Sequence, residues 1–273
     1  HHCFIDNFND DGLEVGPKRR DHTLFIHHNR IGAILSHFTQ HEMDKDEAPL
    51  DHDAGSGAYI YRNVIDQRAG VYYTVPGEPD PSGAFLHAEG HLVGDHGGPI
   101  WAVMRWYHNT ILRRTPTFRD YALLGLGAQG VRSTERDVFN NILVQIDKAP
   151  GASFAGIKEP WALREGGNIL WSPNDTAKAD LFAKFRASPL FEASKKFQPD
   201  GWTTTDRLID PKFTSADDFT LQSGSPAIDT GIALSADWPD PLRENGKPDI
   251  GVIPHGEKPW GTGVEGRVPL FGK

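Results

Sequence analysis

Five short segments of this chain repeat one pattern: an apolar residue, two residues, Asn, one residue, an apolar residue. They read F-I-H-H-N-R-I (25–31), Y-I-Y-R-N-V-I (59–65), R-W-Y-H-N-T-I (105–111), D-V-F-N-N-I-L (137–143) and, in weaker form, C-F-I-D-N-F (3–8). The anchors are Asn7, Asn29, Asn63, Asn109 and Asn141, with a sixth candidate, Asn168, in G-G-N-I-L. A strand-like unit recurring every 20–50 residues points to a stacked solenoid. Asn is a poor residue for a strand interior, but it suits a bend between strands where its amide bonds the repeats above and below. Such a ladder flanked by apolar columns predicts an all-β chain, a right-handed parallel β-helix. Ile26, Ile60, Trp106 and Val138 should form one inward column, and Ile31, Ile65, Ile111 and Leu143 a second.

The chain of 273 residues is long for one compact core, a limit that solenoids escape because each repeat contacts only its neighbours. A net charge of −9 argues against a nucleic-acid partner, which needs a basic face. No apolar run approaches the ~18 residues of a membrane span. Cys3 is the sole cysteine, so no intramolecular disulfide can form. Because Phe4 already lies in a repeat, with no initiating Met, leader or capping element before it, the sequence reads as the C-terminal part of a longer protein. Oligomeric state is not legible.

The anchor spacings are 22, 34, 46, 32 and 27 residues. If ~22 residues close one repeat, the second and third intervals carry insertions of roughly 12 and 24, and solenoid insertions tend to gather on one face. The first insertion (41–53) holds six carboxylates, Glu42, Asp44, Asp46, Glu47, Asp51 and Asp53, a candidate Ca²⁺ site since Ca²⁺ takes six to eight oxygens. The second (71–99) lies beside Tyr72, Tyr73 and Trp101, whose faces can stack on sugar rings. Twelve of the thirteen histidines precede residue 109, so any chemistry should sit in the first part of the chain.

After Trp171 the repeat stops. T-A-K-A-D-L-F-A-K-F (176–185) has helical spacing, and Pro189 breaks or restarts the helix. We therefore divide the chain into repeats (1–175) and a closing segment (176–273). The run D-P-K-F…D-D-F-T-L…S-P-A-I-D-T-G (210–231), followed by K-P-D-I-G, resembles the closing segment of secreted right-handed β-helix proteins, the pectate-lyase-like superfamily. That resemblance implies a secreted or periplasmic protein acting on polysaccharide, most simply a lyase that cleaves an acidic glycan by β-elimination. The alternatives are a glycoside hydrolase on the same fold and a non-catalytic glycan-binding or adhesin-type module.

A lyase needs a base beside the uronate and a cation to neutralise its carboxyl group. In N-D-D-G-L-E-V (9–15), inward Leu13 and Val15 place Asp10 and Glu14 outward, roughly 13 Å apart at ~3.3 Å per residue. That is too far for a direct acid/base pair at roughly 6.5–9.5 Å. Lys18, Arg19 and Arg20 follow one short loop later. Asp6, His28, Arg62, His108 and Asn140 precede the ladder positions and should form a polar column. The candidate catalytic set is thus Arg62, Lys18, His28, His108, Asp10 and Glu14. Arg19, Arg20, Tyr72, Tyr73 and Trp101 are candidate substrate contacts in a groove between the insertions.

Overall fold

In a computed structural model of the chain, the described residues are 1–6, 8–16, 19, 21–32, 34–40, 56–66, 91–95, 102–113, 136–145, 162–173 and 181–271. The repeat region contains β1 (Phe4–Ile5), β2 (Phe8–Val15), β3 (Thr23–His27), β4 (Arg30–Ile31), β5 (Ile34–Gln40), β6 (Gly57–Tyr61), β7 (Val64–Asp66), β8 (His91–Asp95), β9 (Met104–Tyr107), β10 (Thr110–Arg113), β11 (Arg136–Phe139), β12 (Ile142–Gln145), β13 (Leu163–Gly166) and β14 (Ile169–Trp171). Two short helices follow, α1 (Leu181–Arg186) and α2 (Pro189–Ser194), then β15 (Arg207–Leu208). Two small antiparallel pairs complete the chain: β16 (Phe213–Ser215) with β17 (Asp218–Leu221), and β18 (Gly261–Thr262) with β19 (Val268–Pro269). The protein is all-β with little helix. Pro189 restarts a helix, with Ser188 as its N-cap.

The chain visits three parallel sheets in rotation. β3, β6, β9, β11 and β13 form a five-stranded sheet, β1, β4, β7, β10, β12, β14 and β15 a seven-stranded one, and β2, β5 and β8 a three-stranded one. Neighbours in each sheet come from successive passes along the sequence, in register. Both expected apolar columns form. Ile26, Ile60, Trp106 and Val138 pair strand to strand, as do Ile5, Ile31, Ile65, Ile111, Leu143, Leu170 and Leu208. All belong to one core cluster. Each fully buried aliphatic or aromatic side chain contributes roughly 1.5–3 kcal/mol.

The asparagine ladder closes each bend between the five- and seven-stranded sheets. The side-chain amide of Asn29 donates to Asn63 Oδ1 at 2.9 Å, Asn63 to Asn109 at 3.0 Å, Asn109 to Asn141 at 3.0 Å and Asn141 to Asn168 at 3.2 Å. Each Oδ1 also accepts a backbone N–H from the preceding Asn. Two members differ from expectation. Phe4 pairs with Arg30, so Cys3 and not Asn7 stands opposite Asn29, and its N–H bonds Asn29 Oδ1. H-H-C-F-I (1–5) is therefore the repeat that precedes H-H-N-R-I and aligns with it; Asn7 itself lies outside the described residues. At the other end Asp206 ends the ladder, accepting from both the N–H and Nδ2 of Asn168.

The core changes character at that end. Glu165 continues the inward column after Val138, yet it is a carboxylate 2 % exposed. Its Oε1 accepts the N–H of Thr203, and Gln198 pairs with its backbone. Burial first, and then the charge of Asp206, raise Glu165 well above the ordinary carboxylate range. Asp206, also buried, is pushed up to about 6. Helix α1 adds Leu181, Phe182 and Phe185 to the core cluster here, α2 packs Leu190 and Phe191 against it, and Trp202 donates its indole N–H to Leu163 O.

Residues 210–271 run back along the outside of the sheets. Phe213, Phe219, Leu221, Ala227, Ile250, Val252, Ile253 and Leu270 bury the outer face of the seven-stranded sheet through Val64, Leu112, Ile142, Val144 and Ile169. The approach is closest at Gly251 (φ 103°), where a Cβ would stand 2.6 Å from the Ile142 side chain. Only glycine fits there.

Candidate functional site

From Cys3 to Asn168, each bend places the residue before its ladder position in the left-handed region: His2 (φ 57°), His28 (58°), Arg62 (53°), His108 (54°), Asn140 (56°) and Gly167 (66°). Asn and His tolerate this backbone better than most residues, and Gly freely. The polar column expected from sequence is therefore real, with one correction: His2 occupies it and Asp6 does not, because Asp6 falls opposite Gly32.

The returning tail occupies this column. Arg62 is 0 % exposed; its Nε and Nη2 donate to the two carboxylate oxygens of Asp240 at 3.2 and 2.8 Å, and its Nη1 donates to Gly251 O at 2.9 Å. Such a bidentate pair is strong because both partners are desolvated and geometrically matched. Trp260 donates its indole N–H to His28 O, and its ring lies 4.3 Å from the imidazole. Asn140 exchanges two hydrogen bonds with the Ile232 backbone. His108 is 2 % exposed, beside Asn140. Burial, followed by the charge of His27, lowers His28 to about 3, and burial followed by Arg62 lowers His108 well below the ordinary imidazole value. Both rings are neutral at pH 7. Arg62, His28 and His108 are thus buried under the tail, at 0, 6 and 2 % exposure, and do not face solvent.

Beside this seam, the outer face of the five-stranded sheet carries stacked rings. His1 lies on His27 (4.9 Å, 12°), His27 on Tyr61 (4.7 Å, 10°) and Tyr61 on Tyr107 (5.0 Å, 9°). A second column runs from Phe25 to Tyr59 (5.6 Å, 25°), with the Arg105 guanidinium 4.7 Å above the Tyr59 ring. It ends in charge, where Asp137 accepts from Arg164 at 2.8 Å and lies 3.8 Å from Arg105. Trp238 from the tail lies over the middle of this face, against Tyr59, Tyr107 and Phe139, and the Tyr107 hydroxyl donates to Pro239 O. Burial holds Tyr61 up at about 12 and raises Tyr107 further, so both phenols stay protonated. Toward the first strand the cover ends: Phe25 is 52 % exposed and His27 half-buried.

The other predicted residues are dispersed. Glu14 is exposed on β2, while Leu13 and Val15 join the core as expected. A bulge between Phe8 and Asp11 interrupts the alternation on which the outward placement of Asp10 relied. Arg19 is exposed and pairs with Asp21 at 3.5 Å. Lys18, Arg20, Tyr72, Tyr73 and Trp101, and the acidic set Glu42, Asp44, Asp46, Glu47, Asp51 and Asp53, lie outside the described residues. Among the described residues, no group of three or more His, Cys, Asp or Glu side chains is placed to hold a metal ion. No helix there is long and apolar enough to cross a membrane.

The two insertions do not leave from one corner. The first (41–53) lies between β5 and β6, and the second (71–99) begins after β7 and contains β8, which pairs with β5.

Sequence reading missed Phe25, Tyr59, Trp238, Asp240 and Trp260. The alternation of F-I-H and Y-I-Y around inward Ile26 and Ile60 carried the signal for the outward rings. Nothing local marks Asp240 as the partner of Arg62. No protein-family model, curated protein or solved structure matches the chain.

Proposed function

We propose that this chain is a stack of right-handed parallel β-helix coils of the pectate-lyase-like type, secreted or periplasmic, that recognises polysaccharide on the outer face of its five-stranded sheet. Three features support the solenoid reading: in-register parallel strands from successive passes, an internal asparagine ladder and two continuous apolar columns. The observation that carries the functional reading is Phe25, half exposed and stacked on Tyr59 at the open end of the aromatic columns. A flat ring presented to solvent beside half-buried His27 suits the apolar face of a sugar ring.

Recognition is better supported than cleavage, because Arg62, His28 and His108 are engaged by the tail. A preference for acidic glycans then rests on Arg19 with Lys18 and Arg20. β-Elimination on this chain would draw on Lys18, Arg20, Asp10 and Glu14, with Ca²⁺ at the acidic insertion as the neutralising cation. The test is affinity electrophoresis against neutral and uronate-containing polysaccharides, with parallel assays for unsaturated products and new reducing ends. Retention without product, weakened by Phe25→Ala, is expected. Unsaturated product would install the lyase reading in its place, and new reducing ends alone the hydrolase. Neither retention nor product would remove the polysaccharide proposal.

A further inference from the structure

At the far corner of the seven-stranded sheet the tail does not fill the space it encloses. A cavity of about 540 Å³ lies between the outer face of this sheet and the β16–β17 hairpin, within the ~300–1,000 Å³ usual for small-ligand sites. Its floor is a matched row: Leu112 pairs with Val144 and Val144 with Trp171. The three therefore stand on one face, about 4.8 Å apart. Phe213 forms a wall, its ring 6.5 Å from Trp171 at 67°. Asp210 and Lys212 lie on the exposed lip.

Lys212 carries a second signal. Its backbone is left-handed (φ 53°), a conformation costing about 1–2 kcal/mol for a residue with a Cβ. The chain holds it there through its N–H to Asp210 Oδ1 at 2.7 Å and through Gln222, whose N–H donates to Lys212 O at 2.9 Å. Backbone strain of this kind gathers where a side chain must be presented in one direction. Here the Lys212 ammonium donates to Gly224 O at 3.4 Å, and the exposed Asp210 carboxylate lines the same cavity.

We propose that this cavity is a carbohydrate subsite that takes a short oligosaccharide, remote from the Phe25 face. The C–H face of a sugar ring matches the partly exposed Trp171, with Leu112 and Val144 (2 and 4 % exposed) packed beside it in the row, and its hydroxyl edge matches donors and acceptors at Lys212 and Asp210. The ligand class rests on the polysaccharide reading above; the site itself rests on the cavity and its lip.

The experiment titrates the full chain with soluble tetrasaccharides of glucose, mannose, xylose and galacturonate, followed by tryptophan fluorescence and calorimetry. One of the four binds the wild type, Trp171→Ala weakens that binding at least tenfold, and Asp210→Ala weakens it at least threefold. Circular dichroism checks each variant; should Trp171→Ala fail to fold, the exposed-lip variants Asp210→Ala and Lys212→Ala decide. Wild-type affinity in the folded variants overturns the subsite. So does a wild type that retains polymer but binds no tetrasaccharide, an outcome that leaves the polysaccharide reading intact. A wild type that binds neither polymer nor tetrasaccharide removes both.

Discussion

Glu165→Gln is expected to stabilise this protein at pH 8 and to do much less at pH 4.5. Glu165 and Asp206 are both buried carboxylates, and each has a folded-state pKa raised above its ordinary value. A raised acid makes the folded state bind more protons than the unfolded chain. The penalty is therefore absent below the unfolded pKa values, grows as pH rises through them, and is complete above the folded ones. Asp206 rises from 3.8 to about 6 through its own burial and keeps that penalty in the variant, so the gain is the penalty carried by Glu165 itself. Glutamine keeps the acceptor for the Thr203 N–H, removes one of the two like charges, and brings an N–H₂ toward the buried carboxylate. Each kcal/mol recovered with the Glu165 charge raises the melting temperature by roughly 2–4 °C in a chain of this size. Thermal unfolding by circular dichroism at pH 4.5, 6 and 8 makes the comparison. A variant that melts below wild type at pH 8, or by the same offset at all three pH values, would refute the reasoning.

Three further perturbations probe other parts of the fold. Asp240→Ala strands the Arg62 guanidinium at 0 % exposure and should cost about 3–5 kcal/mol, with part restored in the Arg62→Met, Asp240→Ala double variant; chemical denaturation measures both. Asn109→Ala removes the acceptor of two Asn63 donors and the partner of Asn141, at ~1–3 kcal/mol per stranded buried group, and should lower the urea midpoint more than any exposed Asn substitution. If the acidic insertion holds Ca²⁺, chelator lowers the melting temperature and millimolar Ca²⁺ restores it; superimposable melting curves exclude that role.

The repeats were legible because both apolar columns and the Asn anchors depend on local spacing, which a strand imposes on its own sequence. The first and last members of the ladder were not. Cys3 and Asp206 serve through a backbone N–H and a carboxylate, so neither spells the motif, although H-H-C-F-I against H-H-N-R-I held the correct register. The role of the polar column was illegible for a different reason. Arg62 looks like a free surface cation from its neighbours, and its partner lies 178 residues away. Pairing across that distance leaves no periodic trace. The course of residues 210–271 back along the sheets was not legible, because it depends on which outer faces lack cover.

The returning tail also determines how the molecule comes apart. An array of repeats held only by nearest neighbours frays from its ends and unfolds in fragments. Here Trp260 is bonded to His28 O and the Gly263 N–H to His2 O, so the last segment of the chain is fastened to the first pass. Those links span more than 230 residues and raise the mean sequence separation of native contacts, which slows folding. On a ribosome the passes that carry His2 and His28 must wait, with their outer faces bare, until Trp260 and Gly263 emerge. Once docked, the tail couples distant passes, so loss of one end loosens the other and the described region should melt as a single transition.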